Sequence, residues 1–238
     1  MKRPKVSIII TTKNEEKRIE HCLKSVKAQT YRDYELIVTD SCSKDDTARI
    51  ARRYADKVIV RKANIAGGRN MGARAARGEI LVFIDADTIM IPETIEKMAE
   101  AFDDRKVVGA TCPTLPLTVD PRYVSIYMMY NHFARVSIRM RRAQIAGLFC
   151  AYRKDAYDRE GGFDESVGIL EDFHLSARMA KLGRIKFVED TLVLTSHRRF
   201  AKWGVKAPVN YMGAWLKMLA TGRSFSYEWY NSSKNAAR

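Results

Sequence analysis

A chain of 238 residues, 46% hydrophobic and 29% charged, is long enough for one globular domain with its own core and a short appendage. An aromatic content of 10%, with 13 Gly and 6 Pro, excludes collagen-like and low-complexity architectures and argues against disorder. The formal charge of +14, from 42 Lys and Arg against 28 Asp and Glu, points to an anionic partner, whether nucleic acid, nucleotide phosphate or an acidic membrane surface.

The chain opens on the β-branched run Val6-Ser7-Ile8-Ile9-Ile10-Thr11, whose near-continuous apolarity predicts a parallel strand covered on both faces. Over residues 15–28, Ile19, Cys22, Leu23 and Val26 recur at helical spacing. A strand at 35–39, a helix at 46–54 and a strand at 58–60 follow, then a helix over 67–77 that Gly78 stops. Next come a strand at 79–84, a helix at 92–102 with Pro92 in its first turn, and a strand at 107–112. This alternation predicts an α/β fold with an open, mostly parallel sheet and helices on both faces. Its ligand site should lie beyond the carboxyl ends of the strands, at Thr11, Asp40 and Asp85. Residues 123–142 are rich in Met, Tyr and Arg, and Arg135, Arg139 and Arg142 fall on a single helical face. Gly161-Gly162 marks a loop before a helical pattern at 171–182, and a strand is predicted at 185–193. No second domain with its own strand series is expected. The stretch 198–238 reads as a basic extension, with Trp203, Trp215, Trp229 and eight Lys or Arg against the single acid Glu228.

The cysteines Cys22, Cys42, Cys112 and Cys150 show no CxxC spacing, and the amino terminus has no signal-peptide pattern, so a cytoplasmic setting is expected. No apolar stretch approaches the ~20 residues that span a bilayer.

Asp85-Ala86-Asp87 follows the apolar strand Ile80 to Ile84, where alternation sends both carboxylates to one side. Two hard oxygen ligands at a strand terminus suit Mg²⁺ or Mn²⁺ bound together with substrate phosphates. With this tripeptide in place, the chain resembles the family-2 glycosyltransferases, inverting enzymes of the glycosyltransferase-A fold. The resemblance rests on an ordered series: the opening strand through Thr12-Lys13-Asn14-Glu15, the segment Val38-Thr39-Asp40-Ser41-Cys42-Ser43-Lys44-Asp45-Asp46-Thr47, Arg69-Asn70-Met71-Gly72 leading to Gly78-Glu79, the Asp85-Ala86-Asp87 site, Gly161-Gly162-Phe163-Asp164-Glu165, and Glu171-Asp172.

The resemblance implies a catalytic domain over 1–197, with a nucleotide-sugar-binding half at 1–112 and an acceptor half at 113–197, followed by the extension at 198–238. It implies that Thr11, Glu15 and Asp40 line the nucleobase and ribose pocket and that Arg69 reaches the base or the diphosphate. Asp85 and Asp87 would hold ribose and a divalent metal, Mn²⁺ or Mg²⁺. Many members carry paired Asp after the second strand, where this chain has Asp40-Ser41, and the neutral Ser41 hydroxyl is a weaker partner for a base N–H. Asp172 resembles the family's general base, with Glu171 beside it. An alcohol is a weak nucleophile, and such a base contributes ~10²–10⁴ in rate.

His197, Arg198 and Arg199 follow the last predicted strand. His197 can ligate metal, and the two arginines can grip a diphosphate. The donor is expected to be UDP- or GDP-linked; two acceptors stay open, a lipid-linked one met at an anionic membrane face and a water-soluble sugar met by a merely basic soluble enzyme. Residues 123–142 and the tail would supply the membrane contact. A sugar-nucleotide-forming nucleotidyltransferase would need a Gly-rich phosphate loop after the first strand, and Thr11-Thr12-Lys13-Asn14-Glu15 contains no glycine. A nucleic-acid-binding module explains the charge but leaves Asp85, Asp87 and Asp172 idle, so no nucleic-acid partner is expected.

Overall fold

The computed structural model of the protein describes residues 5–167, 170–203 and 213. In chain order the elements are β1 (Val6–Thr12), α1 (Ile19–Lys27), β2 (Tyr34–Asp40), α2 (Thr47–Ala51), β3 (Lys57–Val60), α3 (Ile65–Ala75), β4 (Ile80–Asp85), β5 (Thr88–Met90), α4 (Thr94–Glu100) and β6 (Val107–Thr111). They continue with β7 (Thr114–Pro116), α5 (Pro121–Arg139), β8 (Phe149–Arg153), α6 (Lys154–Arg159), α7 (Glu171–Leu182), β9 (Arg184–Phe187), β10 (Val193–Thr195) and α8 (Arg198–Trp203).

Seven strands form one sheet in the order β3-β2-β1-β4-β8-β6-β9, and β5-β10-β7 form a small second sheet. β3, β2, β1 and β4 run parallel, β8 is antiparallel to both β4 and β6, and β9 is parallel to β6. In register, Thr12 stands beside Asp40 and Thr11 beside Asp85, so the carboxyl ends of the three central strands form one edge. Strand order reverses about β1, which opens a crevice at that edge.

Alternation along the strands divides the core. Ile8, Ile10, Leu36, Val38, Val82 and Ile84 pack with Ile19, Cys22, Leu23 and Val26 of α1 and with Ile95 and Met98 of α4. Ile9, Ile37, Leu81 and Phe83 face the other way, onto Ala66 and Ala73 of α3, Tyr157 of α6, and Leu175 and Met179 of α7. Helices therefore cover both faces, as the unbroken apolarity of β1 requires. The close approach of α3 depends on two glycines: a Cβ at Gly68 would stand 2.5 Å from Thr11 Cγ2, and one at Gly72 would overlap Ile9 Cγ2.

Two expectations need correction. The strand predicted at 185–193 is two strands in different sheets, because Glu189 and Asp190 turn the chain between β9 and β10. The second half adds β8 and β9 to the main sheet, and its β7 and β10 pair with each other and with β5 of the first half, all against the same core. Finally, Arg135, Arg139 and Arg142 are not one helical face. α5 ends at Arg139, Arg141 takes φ +57°, and Arg135 is held by Glu189 at 2.7 Å and lies over the Phe187 ring. All four cysteines are free, with Cys42 the exposed one. Among the described residues no helix is long and apolar enough to cross a membrane. Of the basic extension, α8 is described, while 204–212 and 214–238, with Trp215, Trp229 and Glu228, lie outside the described residues.

Candidate active site

At the carboxyl edge of the sheet, Arg69 of α3 is the centre of an ion network. Its guanidinium is 3% exposed; it donates to Glu171 Oε1 at 2.7 Å, to Asp85 Oδ1 at 3.1 Å and to the Gly147 carbonyl at 2.9 Å, and it lies over the Phe163 ring. Arg69 therefore does not reach toward a base or diphosphate, as the sequence had suggested. Both terminal nitrogens of its planar fork are engaged inside the protein, where an unpaired cation would be costly. Its role is to join the end of β4 to the start of α7, which are separated by more than eighty residues of chain.

The next residue locks the same joint. Asn70 donates to the Phe163 carbonyl at 2.8 Å and to Glu165 at 2.9 Å, and accepts from the Tyr157 hydroxyl at 2.6 Å and the Phe163 N–H at 3.0 Å. Gly162, at φ +74°, makes room, since a Cβ there would meet Asn70 Oδ1 at 2.6 Å. The Arg69-Asn70 and 161–165 motifs are thus two halves of one contact.

Glu171 and Asp172 occupy the first turn of α7, following Leu170 in the left-handed region at φ 64°. Asp172 accepts from the Gly147 N–H at 2.6 Å and from the Phe173 N–H at 2.8 Å. Burial raises the Asp172 carboxyl above the usual range, against the opposing pull of Arg69 and the two N–H donors. Burial, with Asp172 as a like charge alongside, pushes Glu171 up to about 7, and Arg69 works in the opposite direction. Gly147 is a site residue that sequence reasoning missed. Its N–H serves Asp172, its carbonyl serves Arg69, and a Cβ would stand 2.5 Å from the guanidinium. Its local sequence, Ile145-Ala146-Gly147-Leu148, carries no signal of this.

Asp85 closes β4, but residues 86 and 87 form a turn, so the pleat that would aim both carboxylates alike ends at Asp85. Asp85 faces Arg69, whereas Asp87 stands 3.1 Å from Arg198 Nε. Arg198 also holds Glu15 with two N–H groups, one of them to Glu15 Oε2 at 3.0 Å. Asp40 is fully buried and accepts from the Ser43 N–H at 2.8 Å and from the Ser43 hydroxyl, so it shapes the loop after β2. Ser41 donates its hydroxyl to the Ala63 carbonyl at 2.6 Å and accepts from the Ala63 N–H at 3.1 Å. Thr11 accepts from the Thr39 hydroxyl at 3.2 Å beneath α3.

The His197 ring lies 4.7 Å from that of Tyr123, with Nδ1 buried and lacking a hydrogen-bond partner. The adjoining Ser196 N–H donates to the Asp87 carbonyl, which places β10's end beside the Asp85–Asp87 turn. The carboxylates of Asp85, at the strand end, and Asp87, in the turn after it, are hard oxygen donors that suit Mn²⁺ or Mg²⁺, and the orphaned imidazole nitrogen is a further donor on the adjoining segment. Among the described residues, no three His, Cys, Asp or Glu side chains converge as a cage. The side chain of Arg199 lies outside the described residues.

Comparison with known proteins places the fold in a family. Residues 7–161 match the model of the family described as glycosyl transferase family 2. An O-antigen chain rhamnosyltransferase of Salmonella anatum is 28% identical over 211 residues, covering 82% of this chain and 67% of the relative. Chondroitin synthase of Escherichia coli is 28% identical over 192 residues, 78% of this chain but 28% of that protein. Among solved structures, a mannosyltransferase from Pyrobaculum calidifontis in complex with GDP-Man and Mn²⁺ superposes with a TM-score of 0.70 at 25% identity, covering 94% of this chain and 67% of that one. S. aureus TarS in complex with UDP-GlcNAc shares the fold, with a TM-score of 0.67 at 21% identity over 82% of this chain and 59% of that one.

Proposed function

Because the chain belongs to glycosyl transferase family 2, we propose that its site moves a sugar from a UDP- or GDP-linked donor to the hydroxyl or phosphate of a lipid-linked acceptor, with inversion at the anomeric carbon. The observation that carries this reading is the joint made by Arg69, which gathers Asp85 from the strand edge and the Glu171-Asp172 pair from α7 at one crevice. The mannosyltransferase neighbour with GDP-Man and Mn²⁺ supports the donor class.

Residues 1–112 form the donor half and 113–197 the acceptor half. Thr11, Glu15, Asp40 and Ser41 border the nucleoside side of the crevice, with Asp40 and Ser41 acting through the loops they fix. Asp85, Asp87 and His197 are the residues to hold Mn²⁺ or Mg²⁺, which when bound would neutralise the diphosphate. Arg198 stands at the same mouth as a cation for the leaving group, and Arg199 is assigned the same part from its place in the sequence.

Asp172 takes the acceptor O–H proton on its carboxylate while the acceptor oxygen bonds to the anomeric carbon. The bond from that carbon to the diphosphate oxygen breaks on the opposite face, and the nucleoside diphosphate leaves with the electron pair. The two backbone N–H donors fix the orientation of Asp172, and its raised proton affinity makes it a better base than an exposed carboxylate. Glu171 is committed to Arg69 and serves as an anchor.

The test is calorimetry with a panel of UDP- and GDP-sugars, in Mn²⁺ and in EDTA, followed by transfer assays. Binding is expected to require the metal and to be lost in Asp87→Ala. Asp172→Asn should retain donor binding and lose ~10² or more in transfer, since it deletes a proton acceptor at nearly constant volume. Failure of every nucleotide-sugar to bind overturns the donor assignment. Equal affinity in EDTA overturns the metal, and parental transfer by Asp172→Asn overturns the base.

A further inference from the structure

Helix α5 has two unlike faces. Its inner residues Tyr127, Asn131, Ala134 and Ser137 are buried; Asn131 pairs both backbone groups of Thr114, and the Tyr130 hydroxyl accepts from the Ala146 N–H at 2.7 Å. The outer face carries Met128 (61% exposed), Met129, His132, Val136, Arg139 and, at the cap, Met140, positions that recur on one side of a helix. Of the seven large hydrophobic residues exposed among the described residues, six fall between Leu117 and Met140. Single exposed apolar side chains are ordinary, but a contiguous group on one helix marks a contact surface.

Charge identifies the occupant. Residues 121–142 hold five arginines and no acid. Arg122 is paired with Asp120 and Arg135 with Glu189, whereas Arg139, Arg141 and Arg142 make no ion pair among the described residues. A flexible methionine surface rimmed by unpaired arginines suits a layer that is apolar within and anionic at its surface. Two other occupants are disfavoured by the same arithmetic. The segment 204–238 carries five Lys or Arg against Glu228, and a second copy of the chain brings +14, so each would face these arginines with like charge.

We propose that the outer face of α5 docks on an anionic lipid bilayer, with Met128, Met129, Val136 and Met140 entering the headgroup boundary and Arg139, Arg141 and Arg142 pairing with lipid phosphates. The inner face of the same helix touches the site: Tyr123 lies against His197, Tyr127 against Phe200, and Tyr130 holds the backbone beside Gly147. A docked helix therefore sets the crevice at the membrane surface. That a lipid-linked acceptor enters there rests on the transferase reading; the docking itself does not.

The experiment uses the full chain and vesicles of neutral phosphatidylcholine, with or without about one-third phosphatidylglycerol. Co-sedimentation is expected with the anionic vesicles only and should weaken in high salt. A variant with Met128, Met129, Val136 and Met140 all replaced by Ser should bind at least about tenfold more weakly, as should Arg139→Glu with Arg142→Glu, while circular dichroism and nucleotide binding stay at parental levels. Mild peroxide should oxidise Met128, Met129 and Met140 in the free protein, and anionic vesicles should protect them. The proposal is overturned if anionic vesicles do not bind, if both variants bind as the parent does, or if those methionines are already protected in solution by the tail or a second copy. None of these results bears on donor binding, so the transferase reading stands or falls separately.

Discussion

One guanidinium, that of Arg69, faces Asp85 and Glu171 directly and Asp172 through space, so three carboxylates share one buried cation. Full ionisation would leave an uncompensated negative charge, and the network relieves it by holding a proton, with Glu171 pushed up to about 7 from 4.5. The proposed base, Asp172, must be unprotonated to act, so kcat/KM should rise with pH through this coupled pair, its acid limb lying near neutrality instead of in the ordinary carboxylate range. A profile already flat by pH 5 would disprove that sharing. Stability should run the other way. Between about pH 4.5 and about 7 the folded state keeps a proton that the unfolded chain has lost, so stability falls as pH rises across this window, on the order of 1 kcal/mol per unit. Denaturant titrations at several pH values should show this slope, and Glu171→Gln should flatten it. The acids themselves were legible in the sequence because they follow strands or open a helix. Their shared partner was not, since Arg69 and Glu171 meet only through the tertiary fold.

At the scale of the element, α3 shows how spacing becomes geometry. Gly68 and Gly72, one turn apart, let its backbone settle on β1 and β2, and that depth carries Arg69 into the network. Gly72→Ala is expected to cost ~1–3 kcal/mol, because the overlap with Ile9 is between a helix and a central strand with little room to yield. Chemical denaturation would measure it, and a parental midpoint would show that the helix can lift. Elements with a run or period of their own, β1, β2, β4, α1 and α7, were readable from sequence. β8 was not: Phe149–Arg153 is five residues long and takes its antiparallel place between β4 and β6 from distant partners. For the same reason β9 and β10 were merged, since apolar residues on either side of Glu189-Asp190 do not reveal that they serve different sheets.

Across the whole molecule, Arg69 and Asn70 tie the parallel half to the segment that carries Glu171 and Asp172. Arg69→Ala would strand Glu171 and Asp85 without their cation, and a loss of ~3–5 kcal/mol is expected. Hydrogen exchange should accelerate first at the start of α7, and exchange unchanged there would assign the joint to Asn70 alone.

Arg198 gives the molecule a kinetic property. It holds Glu15 beyond β1 and Asp87 beyond β4, so both carboxylates already have a cation before a nucleotide arrives. At the donor site proposed above, entry is an exchange of partners, and its speed has a ceiling set by how often the arginine lets go. In stopped-flow mixing, the observed association rate should level off as nucleotide concentration rises, and Arg198→Gln should lift the plateau. A rate that climbs linearly in the parent protein would mean that the crevice opens faster than ligand can reach it.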